Sequence, residues 1–321
     1  MVSDMPGAAA ARAVVFAYHD VGVRCLEALL ELGVEIPLVV SHQDDTAERI
    51  WFQSVRQVAL RNGIPVITPD DPNAPEIVAQ VATCRPDFLF SFYYRSMLGQ
   101  ALLGAPARGA FNVHGSLLPK YRGRVPVNWA IIHGERETGV SLHRMVAKPD
   151  AGAVVAQRAV PILLNDTAAD VFRKLVCAAE QVVLESVPRL LDGTAREMPQ
   201  DLRLGGYFGG RRPEDGRIDW SRPAREIHNL VRAVAPPYPG AFFDVGNTRI
   251  QVLGSYFRDL PCEAAPPCLY WQQGSAWADC VDGRRLQITE LRVDDSLLDE
   301  AAFGARFGRR LQLPAASASR R

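Results

Sequence analysis

Asn112 and His114 stand two residues apart in the apolar run AFNVH, and Asp150 follows 38 residues after Asn112 in the segment KPDAG. In an extended strand, residues two apart project to the same face, so an amide and an imidazole would leave the end of this strand side by side. Asp150 lies beyond one helix-like and one strand-like segment, in a loop opened by Pro149 and closed by Gly152. That layout allows its carboxylate to return to the other two. Such a set suits acyl transfer onto a nitrogen. The amide N–H can donate to the oxygen of a carbonyl whose carbon becomes tetrahedral, and a cationic imidazole can stabilise or protonate the same intermediate. A neighbouring carboxylate favours the charged imidazole and can collect the proton that an attacking amine loses. No serine or cysteine nucleophile is needed, because the amine itself attacks. The same residue types also finish strands and turns for purely local hydrogen-bonding reasons, so the surrounding chain must decide between the two readings.

The elements that would position these residues alternate in type. Residues 13–18 form an apolar strand-like run followed by His19, Asp20 and Gly22, after which CLEALLELG has helical spacing and ends on Gly33. IPLVVS reads as a strand, 47–62 as a helix stopped by Gly63, PVI as a short strand and 75–83 as a helix, before the strands FLFS and AFNVH. This alternation predicts an α/β fold with a doubly wound, mostly parallel, Rossmann-like sheet, whose ligands collect at the carboxyl ends of its strands. His114 sits at one such end and the pair His19 and Asp20 at another. The first turn has no G-x-G-x-x-G, which argues against a dinucleotide oxidoreductase. A strand at 153–160 and an amphipathic helix at 167–190, capped by Asp166 or Thr167, would complete this domain.

Residues 192–217 are rich in Gly, Arg and acidic side chains, as a surface linker would be. A helix at 223–234 follows, then the strand-like segments AFFDV, RIQVLGSYF, SAWADCV and RLQITELRV, which predict a smaller β-barrel-like domain. The expected division is therefore a catalytic domain at 1–204, a C-terminal barrel-like domain at 205–305 and a disordered tail at 306–321.

The run NVHGSLLPKYRGR, followed by the aspartate of KPDAG, resembles the signature of the 10-formyltetrahydrofolate-dependent formyltransferases. Five further blocks agree with that family in the same order: VVFAYHDVG at 14–22, GIPVITPD at 63–70, SFYYRSML at 91–98, ETGVSLHRMV at 137–146 and HNLVRAVAPPYPGAF at 228–242. The likeness spans 13–295 and is greatest to the branch that formylates UDP-4-amino-4-deoxy-L-arabinose, a lipid A modification in polymyxin resistance. It implies 10-formyltetrahydrofolate as cosubstrate, a nucleotide sugar as partner and no metal. It also implies roles. Asn112 would hold the formyl oxygen, His114 would act as general acid and electrostatic stabiliser, and Asp150 would tune His114 and help remove the proton. Ser116, Leu117, Leu118, Pro119 and Arg124 would border the folate, with Val146, Ala147, Lys148 and Pro149 as the opposite wall. Tyr93 and Arg95 fall in the substrate-side block, where His19 and Asp20 would join them. By contrast, His143 reads as a strand residue hydrogen-bonded nearby, and His133 as the end of a helix.

Composition narrows the alternatives. Lys plus Arg and Asp plus Glu both number 36, so global charge points to neither a nucleic acid nor a membrane partner. The six cysteines form no C-x-x-C pair, and the reading is reduced thiols without metal. No run approaches the roughly 18 apolar residues of a membrane span, and the N-terminus lacks the pattern of a signal peptide; a cytoplasmic location is expected. Methionyl-tRNA formylation would use the same chemistry. The acidic segment SHQDDTAER argues against a tRNA-facing loop, while Arg211, Arg212 and Arg217 keep that reading open. A binding module without turnover and a purine-pathway formyltransferase are the remaining alternatives; the second is disfavoured by the additional C-terminal domain.

Overall fold

The structure, a computed structural model, describes residues 10–44, 50–263 and 266–314. In chain order the elements are β1 (Arg12–Ala17), α1 (His19–Glu31), β2 (Glu35–Val40), α2 (Val55–Arg61), β3 (Val66–Ile67), α3 (Pro75–Thr83), β4 (Phe88–Phe92) and α4 (Gln100–Leu103). Next come β5 (Gly109–His114), β6 (Arg122–Gly123), α5 (Pro126–Ile132), β7 (Glu137–Arg144), β8 (Val154–Pro161), α6 (Ala168–Leu191), β9 (Tyr207–Phe208) and α7 (Ala224–Val234). The chain ends with β10 (Ala241–Val245), β11 (Thr248–Pro261), β12 (Cys268–Gln272), β13 (Ser275–Asp279), β14 (Arg284–Val293), β15 (Ser296–Leu297), α8 (Glu300–Phe307) and β16 (Arg310–Gln312).

These elements separate into two compact units, the first comprising Met1–Gly123, Gly139–Val160 and Lys174–Tyr207, and the second Arg124–Thr138, Pro161–Arg173 and Phe208–Arg321. The segments Arg124–Thr138 and Pro161–Arg173, inside the domain expected at 1–204, thus group with the later part of the chain.

In the first unit the sheet order is β3-β2-β1-β4-β5-β7-β8. The pairs β1–β2, β1–β4, β2–β3 and β4–β5 are parallel, whereas β5–β7 is antiparallel. This is the mostly parallel α/β sheet that the alternating pattern predicts. Burial on both faces explains its near-continuous apolar strands. On one face Val14, Phe16, Leu38, Val40, Leu89 and Ala110 pack together. On the other, Phe88, Phe90 and Phe92 stack in a row with ring centroids 5.8 and 5.7 Å apart. A row of three fully buried rings along β4 holds that strand's position, and through its parallel pairing that of β5.

The second unit contains an antiparallel sheet in the order β10-β11-β14-β13-β12-β16, with β15 on β14. The strands curl into a half-barrel around Phe243, Ile250, Val252, Leu269 and Leu286, and α7 adds Ile227, Val231 and the fully buried Trp220 that precedes it. Bulges between Val252 and Ser255 and between Phe257 and Leu260 supply the bending.

Three expectations are corrected. The helix expected at 47–62 starts only at Val55, where Ser54 caps it by accepting from the Gln57 N–H, and residues 45–49 lie outside the described chain. Helix α1 starts at His19 instead of Cys25, so His19 and Asp20 occupy its first turn. The tail expected to be disordered from 306 forms β16, which pairs with Cys268–Tyr270 and buries Leu313, while 315–321 lie outside the described residues. Alternating apolar residues in RLQL are enough to complete a sheet edge once β12 offers one.

Candidate active site

Within the first unit, β5 places Asn112 directly across from His143 of β7 and His114 across from Ser141. Asn112 Nδ2 is 3.1 Å from His143 Nε2, and His143 Nδ1 is 2.9 Å from the carbonyl of Arg144. Because a carbonyl only accepts, Nδ1 carries the proton, and Nε2 receives one N–H of the Asn112 amide. His143 thereby fixes the amide's orientation and leaves its second N–H for another acceptor. The general family pattern of residues flagged Asn112, but not this partner. Only the antiparallel register brings His143 to it.

His114 is buried, with Nε2 2.8 Å from the carbonyl of Tyr121 and Nδ1 3.6 Å from Asp150 Oδ1. Burial holds its pKa below the ordinary imidazole value, against the pull of Asp150 and the Tyr121 carbonyl. The imidazole therefore rests neutral, where the sequence reading invoked a cation. Burial alone would raise the Asp150 pKa, but His114, His143 and the Gly123 N–H outweigh it and hold the carboxyl well below the usual carboxylate range. Gly123 N donates to Asp150 Oδ2 at 2.8 Å. A lone-pair nitrogen and a carboxylate oxygen thus face each other across 3.6 Å. This pair is one proton short of saturation, which makes it a base.

The loop carrying Asp150 is tied at both ends. The Arg144 N–H donates to Ala153 O at 2.9 Å, and a Cβ on Gly152 would fall 1.9 Å from Arg144 O, so only glycine permits the return. Asp150 itself has φ 50°. Gln200 Nε2 bridges the carbonyls of Asp150 and Gly152 at 3.1 and 2.6 Å, holding that left-handed turn, and its Oε1 is buried with no partner. Substituting Gln200→Leu should lower kcat about tenfold with a small loss of Tm, because two buried acceptors lose their donor and Asp150 is released from position. Steady-state kinetics on a variant of native circular dichroism would check this. Unchanged kcat would show that the loop holds itself.

The remaining predicted residues are spread around this centre. Ser116 is fully buried, and its hydroxyl donates to Lys120 O at 2.6 Å while its carbonyl accepts from Ser141 Oγ. Leu118 is buried, its N–H donating to Ser141 Oγ and its carbonyl accepting from Gln157. Leu117 packs over Gly139, and the Pro119 carbonyl lies against Gly205. Ser116 and Leu118 therefore shape the loop through its interior, and Leu117 and Pro119, half-buried, face outward more. Val146, Ala147 and Lys148 are exposed and Pro149 is half-buried, forming an open wall before Asp150. Arg124 is exposed and groups with the second unit.

At the ends of β1 and β4, still in the first unit, His19 is stacked on Phe52 at 3.9 Å and has its edge to Trp51. Its Nδ1 accepts the Asp20 N–H, and burial followed by the Arg95 charge lowers its pKa to about 3. Asp20 Oδ1 accepts from Gln53 N, the Arg95 guanidinium lies 4.7 Å over the Tyr18 ring, and the Arg95 backbone N–H donates to His42 Nε2. Tyr93 adopts φ 57°, His19 φ 67° and Tyr121 φ 54°. With Asp150, four non-glycine residues of these strand ends hold left-handed conformations, a concentration of backbone strain typical of functional sites. Among the described residues no group of three or more His, Cys, Asp or Glu could hold a metal ion, and no helix is long and apolar enough to cross a membrane.

Residues 13–187 match the family model described as formyl transferase, and residues 211–306 the one described as formyl transferase, C-terminal domain. Among solved structures, an N-formyltransferase from Helicobacter canadensis, in complex with folinic acid and dTDP-3-aminofucose, superposes with TM-score 0.69 at 21% identity, covering 87% of this chain and 99% of its own. WlaRD, a sugar 3N-formyl transferase determined with dTDP and 5-N-formyl-THF, gives 0.70 at 20% identity, covering 90% and 100%. HypX from Aquifex aeolicus with tetrahydrofolic acid gives 0.63 at 20% identity over 91% of this chain and 46% of that longer one.

Proposed function

The chain belongs to the formyl transferase family, and from that premise we propose that it moves the formyl group of 10-formyltetrahydrofolate onto the amine of a nucleotide-linked amino sugar. The observation that carries this reading is the meeting of Asn112, His114 and Asp150 at the end of β5, with the Ser116 hydroxyl already committed to a backbone carbonyl. The acceptor amine therefore attacks the formyl carbon itself. A C–N bond forms, and the second N–H of Asn112 donates to the oxygen as it becomes anionic. The neutral His114 and ionised Asp150 take up the proton that the attacking nitrogen loses. The imidazolium so formed is stabilised by Asp150 and the Tyr121 carbonyl, and returns the proton to the departing folate nitrogen as its bond to carbon breaks. Burial of His114 thus suits it to begin as a base and end as an acid.

The open wall of Val146, Ala147, Lys148 and Pro149, together with Leu117 and Pro119, would hold the folate. His19, Asp20, Tyr93 and Arg95 would meet the acceptor, since they end strands in the same sheet as β5.

The preferred acceptor is UDP-4-amino-4-deoxy-L-arabinose, on the strength of the sequence blocks, and the folate- and dTDP-sugar-bound relatives support the broader class. A panel of UDP- and dTDP-linked amino sugars and initiator methionyl-tRNA, each offered with 10-formyltetrahydrofolate, should give formylation of the UDP-arabinose derivative with the highest kcat/KM. A higher value on a dTDP sugar would correct the acceptor, and one on tRNA would overturn the class. Two of the cations that favour tRNA are already engaged internally: Arg217 pairs with Asp244 at 2.8 Å, and Arg211 donates to Asp215 O.

A further inference from the structure

In the first unit, a single hydroxyl carries the loop expected to border the folate. Ser141 of β7 is fully buried and stands across from His114 in the register of β5 and β7. Its Oγ donates to Ser116 O at 2.6 Å and accepts from the Leu118 N–H at 3.0 Å and from Gln157 Nε2 at 2.8 Å. A hydroxyl has one proton and two lone pairs, so Ser141 is saturated and its three bonds have only one possible direction. Gln157, on β8, uses the other proton of Nε2 on Leu118 O at 2.9 Å. Leu118 is thereby gripped at both its N–H and its carbonyl.

A second contact seats the same loop. A Cβ on Gly139 would fall 2.6 Å from Leu117 Cδ2 and 2.2 Å from Arg158 O, so the bare backbone of β7 is what lets the Leu117 side chain settle on the sheet. The residues just beyond the loop are tied elsewhere. The Arg122 N–H donates to Gly206 O at 3.0 Å, the Gly123 N–H to Asp150 Oδ2 at 2.8 Å, and Tyr121 O lies 2.8 Å from His114 Nε2. Loosening 116–119 therefore leaves His114 and Asp150 in place.

We propose that Ser141 and Gln157 are positioning residues for the folate donor: they hold the 116–119 wall in its binding shape before the donor arrives, and so set donor affinity without entering the chemistry. This rests on the proposed function, in which Leu117 and Pro119 meet the folate. A wall ordered in advance spares the ligand the entropy of ordering it. Release of the clamp should thus appear in Kd and KM for the donor and leave kcat nearly untouched.

Titration calorimetry of the full chain with folinic acid tests this on Ser141→Ala, Gln157→Leu and the double variant, each checked first for native Tm. Steady-state kinetics with 10-formyltetrahydrofolate and the best acceptor of the panel then separate KM from kcat. Ser141→Ala leaves the Leu118 N–H and the Ser116 carbonyl without their partner, and its folinic acid Kd is expected to rise about tenfold or more. Gln157 is exposed, so Gln157→Leu leaves the core intact, and a rise of about twofold to tenfold is expected. In both, kcat at saturating donor should change by less than about threefold, as for an interaction that affects binding alone. Because the two side chains act on the same residue, the double variant should lose less than the product of the single losses. Folinic acid bound equally by the wild type and the folded variants overturns the proposal, as does a fall in kcat at unchanged Kd. Should Ser141→Ala fold poorly, Gln157→Leu decides between these outcomes. A wild type that binds no folinic acid sinks the donor reading and the clamp with it. Variant-dependent binding of folinic acid without formylation of any amino sugar upholds the clamp and sinks only the acceptor class.

Discussion

Replacing His114 by alanine is expected to lower kcat by about 10²- to 10⁴-fold while folinic acid still binds with near wild-type affinity. The asymmetry follows from position. His114 points its two nitrogens at Tyr121 O and Asp150, both part of the protein, and belongs to neither face of the expected folate wall. Its removal takes away the route by which the amine's proton leaves. Asp150 keeps its hydrogen bond from the Gly123 N–H, so the charge of the site survives but its proton carrier does not. His114 and Asp150 act as one unit, and the double variant His114→Ala, Asp150→Asn should therefore lose little more than either single variant. Single-turnover rates with saturating donor would measure this. A His114→Ala protein of unchanged turnover would remove the catalytic assignment, and fully multiplicative losses would separate the two groups. Since His114 is buried, His114→Asn offers a control that preserves more volume and one polar contact.

The parts of this arrangement that the sequence made legible are those with a local cause. AFNVH reads as a strand because it is apolar and β-rich, and Asn112 and His114 consequently share a face at its end. Helix α3 was legible through Pro75 at its start, and the long α6 through Thr167, whose Oγ1 accepts from Asp170 N. What could not be read depends on pairing between distant segments. His143 looks like any alternating strand residue until β7 is placed antiparallel to β5, opposite Asn112. Gln200 lies in a stretch whose composition suggests only a linker, yet it closes over the Asp150 loop. Ser116 belongs to a recognisable motif, and its burial shows that the hydroxyl serves the motif's own shape. Strand β12 was missed because CLYWQ is brief and preceded by two prolines, and β16 could not be foreseen without it. Helix α1 begins six residues before the apolar periodicity becomes clear, which brings His19 into a left-handed first residue that no propensity favours.

Stability should fall steeply as pH drops from about 6.5 towards 4, and buried imidazoles are the reason. His228, fully buried in the second unit, is 2.8 Å from Ser255 Oγ through Nδ1 and 3.0 Å from Leu164 O through Nε2. The carbonyl requires Nε2 to donate, so Nδ1 accepts the serine hydroxyl and the ring is neutral. Burial first, then the charges of Arg232 and Arg225, lower its pKa from 6.5 to about 4 in spite of the Leu164 carbonyl. His19, 8% exposed in the first unit, falls from 6.5 to about 3 for the same leading cause. Between the unfolded and folded pKa values the unfolded chain binds more protons, so acid favours unfolding. Each such histidine removes about 1.4 kcal/mol per pH unit below 6.5, until its folded pKa is reached. At pH 5 the two together amount to about 4 kcal/mol, a large share of the ~5–15 kcal/mol that holds a typical domain. Asp150 works in the same direction but later: its folded pKa is depressed, so its contribution is present above the unfolded value near 3.8 and disappears only as pH falls below it. A loss confined to pH below 4 would therefore point to carboxylates. Since each unit carries one of the two histidines, both transitions should move even if the units melt separately. The decisive comparison is Tm against pH for wild type and His228→Gln. The variant is expected to be less stable at pH 7.5, where it loses the hydrogen bond to Ser255, yet to show a shallower decline between pH 6.5 and 4.5. Parallel curves would mean that His228 accepts its proton without unfolding, and that the acid sensitivity belongs elsewhere in the chain.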